Sequence, residues 1–270
     1  MTSIHASAIV EDGANLGEGV VIGPRCVVGP EVTLGDGVSL HANVVIEGRT
    51  TIGARTEIWP FALIGGAPQD LSYAGEDTTV DIGEDCRIRE YVTIHRGTAR
   101  ARGATSIGHS CFVMLSSHIA HDCVVGNHVI FTNNATIGGH CEIQDHVILG
   151  GFAAVQQRIR IGEHAFVGAM TAAMSHVVPF AMAAGNRVTL GGLNVIGLQR
   201  RGFTRDAIHA IRGAYRMFFN STGPRAERIA AVREAYPDQA DVGRFLDFVA
   251  ACGEAPLALP RRARATETAE

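Results

Sequence analysis

Residues 119–143 read IAHDCVVGNHVIFTNNATIGGHCEI. Ile119, Val125, Phe131, Ile137 and Ile143 fall at every sixth position. Outward from there the same slot holds Ile107 and Val113 before, and Leu149, Val155, Ile161 and Val167 after. One residue out of phase, it holds Ile82, Ile88 and Ile94. A third run reads Ile4, Val10, Leu16, Ile22, Val28, Leu34, Leu40, Ile46, Ile52, Ile58 and Ile64. Of these 25 slots, 24 are Ile, Val or Leu and 13 are followed by Gly, which rules out chance. A period of six is neither the 3.6 of a helix nor the 2 of an amphipathic strand. It fits a triangular solenoid of short parallel strands, in which three hexads complete one 18-residue coil. The aliphatic slot points inward, Gly relieves the corner, and coils stack about 4.8 Å apart. The reading covers residues 1 to about 180.

The slot four residues after each aliphatic is usually small, as at Ala14, Thr50, Thr56, Ala62, Ala135, Ala153 and Ala165. Five of the six cysteines occupy it: Cys26, Cys86, Cys111, Cys123 and Cys141. They read as core fillers rather than ligands or nucleophiles. Cys123 and Cys141, 18 apart, should stack. Two polar insertions, at 67–80 and 97–105, break the period, and loops thrown from a solenoid usually carry function.

After Pro179 the hexads fade. Thr204 can cap a helix whose apolar stripe is Ile208, Ile211, Tyr215 and Phe218. Pro224 opens a second with Ile229, Val232 and Tyr236, and Val242, Phe245 and Val249 mark a third. The predicted organisation is a mainly β solenoid over 1–186, a helical C-terminal domain over 187–257, and a disordered tail over 258–270.

A net charge of −4 argues against a nucleic-acid-coating protein. No basic region with a following apolar run opens the chain, and no stretch approaches 18 uninterrupted apolar residues. The expectation is a soluble, cytoplasmic protein without a membrane segment.

Adding one coil of 18 residues to His121 reaches Gly139, and adding it to Asp122 reaches His140. A base, a carboxylate, a backbone amide without a side chain and a second imidazole should therefore meet, with His118 nearby. Those are the parts for acyl transfer to a hydroxyl: His121 as general base, Asp122 to fix its tautomer, and the Gly139 amide for the oxyanion. A separate column, His128, His146 and His164, should form an exposed ladder on another face. Arg200 and Arg201, beside glycines, could clamp phosphate.

The motifs Gln-Asp-Leu-x-Tyr-Ala-Gly (69–75), Thr-Ile-His-Arg-Gly-Thr (93–98), His-Ile-Ala-His-Asp-Cys (118–123), Asn-Asn-Ala-Thr-Ile-x-Gly-His (133–140) and Arg-Arg-Gly-Phe (200–203) resemble the UDP-N-acetylglucosamine O-acyltransferase (LpxA) family. The resemblance runs in order from about residue 4 to 250. It implies a left-handed parallel β-helix, since periodicity alone does not show hand. It implies transfer of a 3-hydroxyacyl group from acyl carrier protein to the glucosamine 3-hydroxyl of UDP-N-acetylglucosamine, the first step of lipid A (lipopolysaccharide) synthesis. It also implies a homotrimer with active sites between subunits and no metal or other cofactor. His118 and His140 would contact sugar and acyl groups. Asp70 would lie near their hydroxyls, and Asn194, Arg200 and Arg201 near the nucleotide. Gln156 stands where the family usually has His, Ser72 where it has Lys, and Ile196 where it has Glu. Ala169 occupies the position thought to limit acyl length. An acidic carrier protein would dock through Arg158, Arg160 and Arg216.

Three alternatives stay open on the residues. One is a relative with another acceptor, such as a 3-amino sugar, or with a coenzyme A donor. Another is a zinc trimer like the γ-class carbonic anhydrases, using His118-x-x-His121. The third is a silent scaffold.

Overall fold

The computed structural model describes residues 1–261. The chain forms a left-handed parallel β-helix followed by α-helices. Its three sheets have 11, 9 and 8 strands. Each strand pairs with the one three elements on, as Ile119 pairs with Ile137 and Ile137 with Val155. Most strands are two residues long, and the aliphatic residue of each faces the axis. From Ile22 to Val167 every aliphatic slot is buried. Ile4, Val10 and Leu16 stay at least partly exposed because no coil lies beneath the first. Phe131, the one aromatic in the series, is fully buried between Val113 and Leu149. Each such side chain adds about 1.5–3 kcal/mol of burial.

The corners explain much of the remaining sequence. Among the described residues, eighteen non-glycine residues have positive φ, and each lies at a corner. They form three columns. Arg25, Asn43, Phe61, Tyr91, Ser116, Asn134, Phe152 and Met170 separate the first sheet from the second. Asp122, His140 and Arg158 separate the second from the third. Arg55, Asp85, Ser110, His128, His146, His164 and Phe180 close the triangle between the third and the first. An amide-to-carbonyl bond from the coil below holds fifteen of these left-handed residues, all but Arg25, Phe61 and Asp122, as His140 N to His121 O at 3.0 Å. That bond offsets a conformation ordinarily unfavourable to L-residues.

Both insertions leave the second sheet and return to the third, so both emerge on the corner of Asp122 and His140. They are shorter than the sequence suggested. Thr79–Ile82 and Ala104–Ile107 are strands paired to each other, which leaves 67–78 and 96–103 as loop. All six cysteines are free and buried. The Cys123 thiol is held well above its ordinary pKa by its bond to Cys141, with burial adding to it, which reflects the expected stack.

The helical part begins later than position 187. Thr189–Leu193 pairs antiparallel with Ala181–Ala184 and extends the first sheet. The helices are α1 (Val195–Arg200), α2 (Arg205–Asn220), α3 (Arg225–Ala235) and α4 (Ala240–Ala251). The Thr204 hydroxyl caps α2, accepting from Ala207 N at 3.1 Å. Ile208, Ile211, Tyr215, Phe218, Val232, Val242, Phe245 and Val249 are buried. α1 was not anticipated, because six residues are too few for a periodic stripe. Residues 258–261, expected in a disordered tail, return to the β-helix: Ala258 N bonds His176 O and Arg261 N bonds Leu190 O. Positions 262–270 of that tail lie outside the described residues. Among the described residues no helix is long and apolar enough to cross a membrane.

Candidate active site

The corner between the second and third sheets gathers the chemistry. The Cys123 side chain turns inward and fixes the register, so the Asp122 side chain turns into the cleft under the second insertion. His121 Nδ1 lies 2.8 Å from Asp122 Oδ2, and His140 Nδ1 lies 3.8 Å from the same oxygen. The Asp122 side chain is fully inaccessible, and those of His121 and His140 are only 14% and 21% exposed. The two rings meet edge-on with centroids 4.9 Å apart.

Gly139 sits directly over the His121 ring. A Cβ at 139 would come within 2.6 Å of both Cε1 and Nε2, so only glycine leaves the imidazole its place. No neighbouring backbone carbonyl among the described residues takes the Gly139 amide. The arrangement therefore offers a base, a carboxylate behind it and a free amide donor against its outer nitrogen.

Burial pushes the Asp122 carboxyl up. Hydrogen bonds from the Thr98 side chain, from His121 and from the Thr98 amide outweigh burial, and the carboxyl ends below its ordinary range. His140 is held below the usual imidazole value by burial and then by Arg158. His118 is lowered chiefly by burial, and its Nδ1 lies 2.7 Å from Thr93 Oγ1. Asp70, on the first insertion, accepts from the amide and hydroxyl of Ser72, both at 2.8 Å. Those bonds lower it, and nearby His121 and Arg100 add to the effect.

The other candidates are placed elsewhere. Gln156 is exposed one coil above Gly138. Ala169 is exposed beside Met170, at the corner on the far side of the second sheet. Asn194 is buried: its Nδ2 donates to His164 O at 3.0 Å and its Oδ1 caps α1 by accepting from Gly197 N. Within this chain it ties α1 to the coil. Arg201 donates to His146 O at 3.0 Å, and Arg200 is exposed. This segment lies at the His128–His146–His164 corner, not at that of His121. The ladder itself is stacked as expected, at 4.7 and 4.6 Å between centroids. It is exposed only at its lower end: His164 is buried under Phe180 and Phe203 and pushed down to about 3, mainly by burial.

The docking residues expected to act together are dispersed. Arg158 is at the His140 corner, Arg160 bonds Glu142 at 2.7 Å, and Arg216 lies on α2. The basic cluster the structure does show is Arg205, His209, Arg212 and Arg216 along α2. The zinc reading is also altered. His118 does not join His121; the three groups with ligand atoms within 4.8 Å of one another are His121, Asp122 and His140. Asp122 Oδ2 is already taken there by Thr98 and His121.

Sequence reasoning missed Thr98 and His95. His95 is buried, meets His118 edge-on at 4.9 Å and is pushed down to about 4, first by burial. Both residues stand within a motif singled out above. The insertion after His95 breaks the 18-residue arithmetic, so that arithmetic could not bring them to Asp122 or His118.

A coiled prism of hexads with a histidine–carboxylate corner defines a hexapeptide-repeat acyltransferase. Residues 31–66 match the bacterial transferase hexapeptide model, and residues 177–255 match the model described as Udp N-acetylglucosamine O-acyltransferase, domain 2. The chain belongs to the acyl-[acyl-carrier-protein]–UDP-N-acetylglucosamine O-acyltransferase family. The protein of that name from Rhizobium etli is 49% identical over 259 residues, 96% of this chain and 95% of its own. That from Methylobacterium radiotolerans is 53% identical over 204 residues, 76% of this chain and 75% of its own. The structure of LpxA from Acinetobacter baumannii superposes with a TM-score of 0.91 at 37% identity, covering 96% of this chain and 99% of that one. The Arabidopsis UDP-N-acetylglucosamine acyltransferase gives 0.83 at 31%, covering 96% and 100%.

Proposed function

We propose that this chain transfers a 3-hydroxyacyl group from acyl carrier protein to the 3-hydroxyl of UDP-N-acetylglucosamine, the reaction named for its relatives and the entry to lipid A synthesis in the cytoplasm. The observation that carries the mechanism is the His121–Asp122 pair beneath the bare Gly139 amide. His121 Nε2 accepts the proton of the sugar hydroxyl as its oxygen bonds to the thioester carbonyl carbon. Asp122 holds the Nδ1 proton and stabilises the imidazolium. The Gly139 amide donates to the carbonyl oxygen as it gains negative charge. The carbon–sulfur bond then breaks, and His121 returns the proton to the carrier's thiolate. His118, His140 and Asp70 line the approach.

The arginines at 200 and 201 stand at a different corner from His121, so one chain alone does not bring them to the reacting sugar. A homotrimer in which each corner faces a neighbour's would do so, and the exposed Phe61, Tyr91, Phe152 and Met170 along the remaining corner supply apolar surface. The Arg205–Arg216 face of α2 suits an acidic carrier protein.

The test is incubation of the chain with UDP-N-acetylglucosamine and 3-hydroxyacyl carrier proteins of several chain lengths, read by mass spectrometry. A mono-acylated sugar nucleotide, ester-linked and dependent on carrier protein rather than coenzyme A, is expected. Acylation only of a 3-amino sugar, or only from coenzyme A, would overturn the assignment.

A further inference from the structure

We propose that Thr98, on the second insertion, is a positioning residue for catalysis: it holds the Asp122 carboxylate ionised and in the one orientation that keeps the His121 proton on Nδ1. The inference rests on the reading of His121 and Asp122 given above and adds a residue to it.

Thr98 is itself buried, 6% exposed. Its hydroxyl donates to Asp122 Oδ2 at 2.6 Å, and its amide reaches both carboxylate oxygens at 3.1 Å. With His121 Nδ1 at 2.8 Å, these are the close polar contacts of a side chain with no access to water. A carboxylate so enclosed would ordinarily prefer its neutral form. A neutral Asp122 could donate to His121 Nδ1, which would put the imidazole proton on Nε2 and leave no lone pair for the sugar hydroxyl. Thr98 therefore decides the protonation state of a residue it precedes by 24 positions.

The loop is built to hold it there. The Thr98 carbonyl accepts from Ala101 N and Gly103 N, both at 3.1 Å, closing a tight turn. Gly97 passes so near Ala104 that a Cβ would lie 2.1 Å from its amide nitrogen. On the other side, Asp122 is pinned in the left-handed region at φ 59°, a conformation Asp tolerates better than most residues. The charged and titratable groups facing the carboxylate are His121 and His140, with Arg158 beside His140 and Asp70 and Arg100 across the cleft beside His121. Of these, His121 donates to Asp122 and itself titrates. Among the described residues, Thr98 is the donor that stabilises the anion without titrating.

Thr98→Val removes only the hydroxyl bond and keeps the shape. The pair's first protonation then moves to higher pH, whichever partner takes the proton, because the carboxylate has become more basic. The acid limb of kcat should rise by about one pH unit, and kcat at neutral pH should fall about tenfold or more with little change in KM for the sugar nucleotide. Thr98→Ser should restore both. Spectra of isotope-labelled histidine give a second, substrate-free readout: His121 should carry its proton on Nδ1 in the wild type and lose that preference in Thr98→Val. Thr98→Ala should give the same shift if the valine variant does not fold. Wild-type turnover in the same assay separates the two readings, since an inactive wild type would sink the acyl transfer and not the tautomer result. An unmoved acid limb in Thr98→Val and Thr98→Ala, or a serine variant as impaired as the valine one, would overturn the proposal.

Discussion

Two corners of the prism carry histidines, and they do different things. At one, His121 and His140 meet Asp122 beneath an insertion. At the other, His128, His146 and His164 stack ring on ring. Several of these residues share the same left-handed backbone and the same one-coil spacing. The difference lies in what surrounds the rings. The first corner has a buried carboxylate, a glycine facing the ring and a loop that shuts out water. At the second, no carboxylate among the described residues bonds a ring, and Phe180, Phe203 and Asn194 close its upper end. On the proposed mechanism the first handles the proton. The second is a seam that docks the α-helices on the coil. Repetition places side chains; only the departures from repetition make them reactive.

The largest effect should separate the two columns outright. His121→Ala is expected to lower kcat by about 10²–10⁴, and His146→Ala to leave it near wild type, both read from initial rates. Equal losses would erase the distinction. Next comes the glycine. Gly139→Ala places a methyl within 2.6 Å of the His121 ring and should cost on the order of 10²-fold in kcat by displacing it. Gly151→Ala, whose nearest neighbour would be 3.6 Å away, is the control and should change kcat little.

The seam should answer to pH through stability. His164 is held far below its ordinary value, so its contribution is full above about pH 6.5 and fades as pH falls toward about 3. Lowering pH from 7 to 4 should cost on the order of 3 kcal/mol from this residue, seen as a falling Tm. His164→Phe should flatten part of that fall, since the buried Nδ1 has no partner to lose. A Tm equally steep in the variant would place the acid sensitivity elsewhere. The smallest expected effect is at the outer face. Arg212→Glu on α2 should raise KM for carrier protein severalfold at low salt and less at high salt. An unchanged KM would move the docking surface off α2.

The sequence shows the prism plainly because each coil must bury the same slot, and that demand repeats in Ile, Val and Leu. It shows the His121–Gly139 registry for the same reason: nothing interrupts the coils between them. It does not show what an insertion does. Thr98 lies within a break in register and His95 just before it, so their partners one coil on cannot be reached by counting 18 residues. Asn194 differs for another reason. The resemblance puts it near the nucleotide, and the structure adds a role the sequence hides, the buried cap of a six-residue helix too short to leave a periodic trace.

The most direct measurement is a double-mutant cycle on kcat with His121→Ala, Asp122→Asn and both together. A pair acting as one unit predicts that the double variant is no slower than His121→Ala alone. Losses that multiply, or a His121→Ala enzyme that turns over at the wild-type rate, would contradict the assignment of this corner.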